Sequence, residues 1–139
     1  MIRPPHYEKI FQLTIDIVNT DDVELGLIAY NKILKICETH EGTLLDHPFQ
    51  WETLGDFTLE DNLKALSFYF KALKLANNAG LTEYIASINL AIAEQYLELG
   101  DFNKSWKFGV AANEAVKSSV DLSLKQEISE TLLEISKYT

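Results

Sequence analysis

Cys37, His40 and His47 fall in one short stretch, ICETHEGTLLDHPF, with Glu38, Glu41 and Asp46 between them. Thiolate and imidazole are zinc ligands, so a metal-assisted site in the 37–47 loop is the first chemistry this chain suggests. The competing reading is a small buried thiol beside a polar loop. Two further pairs, Glu94 with Glu98 and Glu130 with Glu134, set carboxylates one helical turn apart. General acid–base work needs such groups in a dry cleft with shifted pKa values, whereas exposed helix faces carry the same pairs for solubility. No phosphate loop, nucleophile elbow or paired zinc-ligand motif appears. The expectation is therefore a chain with no catalytic residue, no metal and no cofactor. The aromatic run His47-Pro48-Phe49-Gln50-Trp51 reads as core packing first and as a partner contact second.

The charge balance narrows the partners. The chain has 139 residues, 21 acidic against 12 basic, and a net charge of −9. Phosphate neutralisation requires clustered cations, so a nucleic-acid binder is not expected. Arg3 is the single arginine, which removes the usual means of holding phosphate or carboxylate in a bidentate grip. No apolar run approaches membrane-spanning length. The opening MIRPPHYEKIF lacks the basic and apolar regions of a signal peptide, and a lone cysteine permits no internal disulfide. A cytoplasmic setting follows as an expectation.

What must position these residues is a series of helices. Leu63, Leu66, Phe70 and Leu73 recur at three- and four-residue steps, as do Ile85, Ile88, Ile92, Tyr96 and Leu99, the spacing of amphipathic helices. Gly80 and Gly100 stand where a left-handed C-cap costs least. Tyr7 to about Asn19, Val23 to about Thr39 and Pro48 to Asp56 supply three more helices. NKSWKFGVAANEAV supplies another, and a last one, capped by Asp121 or Ser123, carries Leu124, Ile128, Leu132 and Ile135. The fold class is all-α, with seven helices in one domain.

The helices repeat. KALSFYFKALKLA (64–76) aligns with KSWKFGVAANEAV (104–116) at an offset of 40, pairing Ala65 with Ser105, Phe68 with Phe108 and Ala72 with Ala112. GLIAYNKILKIC (26–37) falls in line at 39, with Gly26 opposite Ala65 and Tyr30 opposite Tyr69. The string Leu-Gly-Asp-Phe also occurs twice, at 54–57 and 99–102. In the second copy glycine closes one helix, Asp101 begins the next and Phe102 fills the gap. After the first copy the equivalent lysine comes five residues late, and an early helix start capped at Thr58 is expected. Helix pairs recurring at this spacing mark an α-solenoid.

Trp51-x-x-Leu54-Gly55, together with Ile92, Ala93, Tyr96, the Gly-Asp-Phe turn, Ser105 and Ala112, resembles the tetratricopeptide repeat (TPR) in its longer form of about 40 residues. Asn89, where tryptophan is favoured, Gly109, at a usually aromatic position, and the missing closing proline depart from the family pattern. The first repeat matches through Ile10, Leu13, Ile17 and Gly26. The resemblance implies approximate repeats over 5–40, 46–80 and 82–118 and a capping helix over 121–137.

That resemblance also implies which residues face a partner. In TPR arrays the first helix of each pair lines the concave face. The lining positions fall here on Glu52, Asp56, Ser87, Leu90, Glu94, Leu97 and Glu98, and on Glu127, Glu130 and Glu134 of the last helix. On the first helix they are Glu8, Phe11, Ile15 and Val18. Eight of the 12 cations, Lys32, Lys35, Lys64, Lys71, Lys74, Lys104, Lys107 and Lys117, lie on second helices. TPR clamps for C-terminal carboxylates use lysine, arginine and asparagine on the groove, and acids stand here instead. The expected function is a non-catalytic interaction module, a scaffold or adaptor, whose acidic groove draws in a peptide or basic protein. An immunity or antitoxin protein masking a basic toxin such as a nuclease is the alternative, and a metal-dependent enzyme using the 37–47 loop is a further one. Charges on the last helix suit a capping repeat, so a monomer or weak homodimer is expected.

Overall fold

The computed structural model describes residues 3–139. Among them are seven helices and no strand: α1 (Tyr7–Asn19), α2 (Val23–His40), α3 (Pro48–Asp56), α4 (Asn62–Ala79), α5 (Thr82–Leu99), α6 (Phe102–Val116) and α7 (Leu122–Ser136). No helix is long and apolar enough to cross a membrane.

Four aspartates start helices by the same device. Asp22 accepts from Glu24 N and Leu25 N, Asp61 from Lys64 N, Asp101 from Lys104 N and Asp121 from Leu124 N. Each carboxylate satisfies an amide that the first turn leaves without a partner. Gly80 and Gly100 end α4 and α5 at φ 64° and 79°. In both turns the following residue, Leu81 or Asp101, donates back to Ala76 O or Tyr96 O at 3.0 Å, closing the Schellman geometry.

The expected early start of α4 at Thr58 is not found. The helix begins at Asn62 behind Asp61, so Asp61-x-x-Lys64 is the counterpart of Asp101-x-x-Lys104 and the 40-residue offset holds. Thr58 Oγ1 is engaged elsewhere: it donates to Leu54 O and lies 2.7 Å from the Tyr30 hydroxyl. Residues 57–61 therefore form a loop, with Glu60 at φ 63°. The two Leu-Gly-Asp-Phe strings also differ in structure. Leu54, Gly55 and Asp56 are helical, and the spot a Gly55 Cβ would occupy is 2.7 Å from the Tyr69 ring. Phe102 stacks on Tyr138 at a centroid distance of 4.6 Å.

Packing follows chain order. Every helix contacts its successor from α1 to α7, and α3 and α7 each touch α5 as well. One apolar core runs from Leu13 of α1 through Ile33, Trp51, Leu66 and Tyr69 to Ile88 and Ile92 of α5. A second joins Ala86 and Leu90 of α5 to Ala112 and Val116 of α6 and Ile128 of α7. Two buried sides make α5 the link between the cores, and each fully buried isoleucine there contributes ~1.5–3 kcal/mol. Small residues let α6 approach its neighbours. Ser105 donates to Ala93 O at 2.7 Å, and a Cβ on Gly109 would meet Leu132 Cδ2 at 2.8 Å.

Candidate site: a carboxylate cluster on alternate helices

The site begins with the anchoring of α3. Pro48 opens the helix and His47 Nδ1 accepts from Phe49 N. Trp51 is buried, its Nε1 donating to Asp46 Oδ1 at 2.7 Å and its ring 5.9 Å from Phe68. With Trp51 fixed, its neighbour Glu52 is directed to α5, where Ser87 Oγ donates to Glu52 Oε2 at 2.7 Å. One turn on, Asp56 Oδ1 accepts from the Tyr69 hydroxyl at 2.6 Å. On α5, Ile88 and Ile92 point into the core while Glu94 and Glu98 stay exposed. Asn62 Nδ2 donates to both Gln95 Oε1 and Glu98 Oε2.

The carboxylates act on one another. Burial raises Glu52 to about 7, against the Ser87 hydrogen bond, and Asp56 raises it further. Glu94 keeps contact with solvent, but the protein around it desolvates it in part and raises it to about 7, and the charges of Glu127, Asp56 and Glu98 add to the shift. Asp56 is raised by burial despite the Tyr69 hydroxyl, and the Tyr69 phenol is pushed up by burial and then by Asp56. Desolvation and like charge both favour the protonated acid. Among the described residues, the ion pairs are Arg3–Glu8, Lys71–Glu41, Lys104–Asp101, Lys117–Glu114 and Lys137–Glu134. None of them engages Glu52, Asp56, Glu94, Glu98 or Glu127.

Charge is divided by helix parity. Helices α1, α3, α5 and α7 carry ten acidic residues (Glu8, Asp16, Glu52, Asp56, Glu83, Glu94, Glu98, Glu127, Glu130, Glu134) against Lys9 and Lys125. Helices α2, α4 and α6 carry Glu24, Glu38 and Glu114 against seven lysines.

The expected lining residues separate into two groups. Ser87 is hydrogen-bonded to Glu52, which feels the charge of Asp56, and Glu94 feels the charges of Asp56, Glu98 and Glu127. Leu90 is not available to a partner: it is 4% exposed and packs in the second core. Leu97 is half-buried. Glu130 accepts from Gln126 and Glu134 from Lys137, so their hydrogen bonds stay at α7 and its C-cap. On α1, Glu8 pairs with Arg3, Phe11 stacks on Tyr7, Ile15 is half-buried and Val18 is 70% exposed.

Over residues 37–47, the end of α2 and the loop after it, the three candidate metal ligands turn to different tasks. Cys37 is buried, donates to Gln50 O at 3.4 Å, and is raised to about 12 by burial and then by Asp46. His40 stacks on His6 at 4.3 Å, while His47 caps α3. Among the described residues, no three His, Cys, Asp or Glu side chains are placed to hold a metal ion. Asp46 also accepts from Gly42 N, so this loop is tied together by its own hydrogen bonds.

Two participants were not singled out in the sequence. Asn62, the first residue of α4, reaches Glu98, and Tyr84 sets its ring 5.4 Å from His47. Tyr84, Tyr7, Ser87 and Glu127 line a cavity of about 820 Å³ between the N-terminal segment and the starts of α5 and α7. Tyr84 sits in the first turn of an odd-numbered helix, a signal visible only once the helix starts are aligned. Comparison of the chain with protein-family models, curated proteins and solved structures returns no match.

Proposed function

We propose that the chain is a non-catalytic interaction module of TPR-like build that binds a basic protein segment along α3, α5 and α7. One observation carries this reading: carboxylates from three alternate helices act on one another, none of them held in an ion pair among the described residues, and two are raised to about 7. Such a cluster is electrostatically unfavourable in the free chain, and a cationic partner relieves it. The contact order of the helices supports a solenoid, since successive helices pack in sequence and α5 touches its odd-numbered neighbours. The parity of charge gives the two sides opposite sign, so approach of a basic segment is steered toward one of them.

Salt titration of the full chain against a basic peptide tests this. Affinity should fall at least about tenfold between ~20 mM and ~200 mM ionic strength. Glu94→Lys/Glu98→Lys should remove most of the binding at low salt. Binding that survives both changes would place the partner elsewhere.

A further inference from the structure

The carboxylate cluster runs into the cavity of about 820 Å³, a volume within the ~300–1,000 Å³ range of small-ligand sites. Ser87 and Glu127 belong to both: they line the cavity, one holding Glu52 and the other acting on Glu94. Its aromatic walls are Tyr7 and Tyr84, with His47 edge-on to Tyr84. Burial lowers the His47 pKa and its Nδ1 accepts from Phe49 N, both of which favour the neutral imidazole. The positive ends of α5 and α7 also face this space, but Glu83 and the capping Asp121 stand on them.

A guanidinium is already present. Arg3, the chain's single arginine, lines the cavity with Cζ 4.8 Å from the Tyr7 ring centroid, and its guanidinium donates to Glu8. Planar stacking on an aromatic ring beside a carboxylate suits arginine better than lysine, whose compact ammonium is more strongly hydrated.

We propose that this cavity is an arginine-recognition pocket: it takes one arginine side chain of the basic partner, stacked on tyrosine and facing Glu127, in exchange for Arg3. The proposal rests on the reading of α3, α5 and α7 as a binding face for a basic segment. Arg3 is the internal stand-in that an incoming arginine displaces.

Titration of the full chain with oligo-arginine and oligo-lysine peptides of equal length, at low salt, tests it. The expected result is tighter binding of oligo-arginine. Tyr7→Leu removes the ring that Arg3 now covers and should weaken oligo-arginine about fivefold while leaving oligo-lysine within about twofold. Arg3→Ala, an exposed change that does not threaten folding, should strengthen oligo-arginine by about two- to threefold. Circular dichroism melts establish that each variant is folded, and if Tyr7→Leu unfolds, Arg3→Ala alone decides. Equal binding of the two peptides, or an Arg3→Ala variant that binds oligo-arginine no better, overturns the pocket while leaving the acidic face intact. Absence of binding by either peptide overturns the acidic face itself.

Discussion

Gly55 and Gly100 hold the same place in the repeated Leu-Gly-Asp-Phe string, yet the backbone asks different things of them. Gly100 sits at φ 79° with open space around it, so its requirement is conformational. Alanine there is expected to cost about 1 kcal/mol. Gly55 is helical, and alanine would drive a Cβ to within 2.7 Å of Tyr69, whose ring is buried and whose hydroxyl is bonded to Asp56. That ring cannot swing away, so Gly55→Ala is expected to cost ~1–3 kcal/mol. Thermal melting of the two variants should show the larger drop for Gly55→Ala. Sequence could identify the Gly100 role because an aspartate cap and a new helix follow at once. It could not do so for Gly55, since the amino-acid type does not distinguish a need for positive φ from a need for close approach.

At the scale of the helix, the caps decide where elements begin. Asp61→Ala removes the acceptor for Lys64 N and is expected to destabilise the protein by about 1 kcal/mol. Thr58→Val should leave the start of α4 in place, because the Thr58 hydroxyl is spent on Leu54 O. Hydrogen exchange at Leu63, Lys64 and Ala65 separates the two, with protection lost in Asp61→Ala alone. Seven helices were legible because apolar residues recur every three or four positions, and α1 and α3 have the expected bounds. The start of α4 was not, because Thr58 and Asp61 imitate a cap and its partner three residues on. Of the candidate site, the sequence already placed Glu52, Glu94, Glu98 and Glu127 on α3, α5 and α7, because the helix bounds follow from the periodicity. Leu90 was misplaced for a tertiary reason. Packing of α6 and α7 covers it, and the periodicity of α5 alone carries no record of that.

For the molecule as a whole, the proposed binding of a basic segment and the stability of the fold are expected to respond to protons in opposite directions. Glu52 and Glu94 take up protons near pH 7 when folded, against an ordinary value of 4.5. Between those values the folded state binds more protons than the unfolded one, so stability falls as pH rises. The melting temperature is expected to be higher at about pH 5 than at about pH 8. Glu52→Gln should stabilise the protein at about pH 8 by roughly 1 kcal/mol, raising the melting temperature by about 3–5 °C, and flatten the slope. A cationic segment favours the ionised carboxylates, so its binding should expel protons and strengthen from about pH 6 to about pH 8. Calorimetric titration near pH 7 in two buffers of different ionisation enthalpy reads that release directly. Heats that differ between buffers in the sense of proton release place the partner on Glu52 and Glu94. Identical heats would mean that binding leaves these carboxylates as they were, and the basic segment would then lie on some other surface.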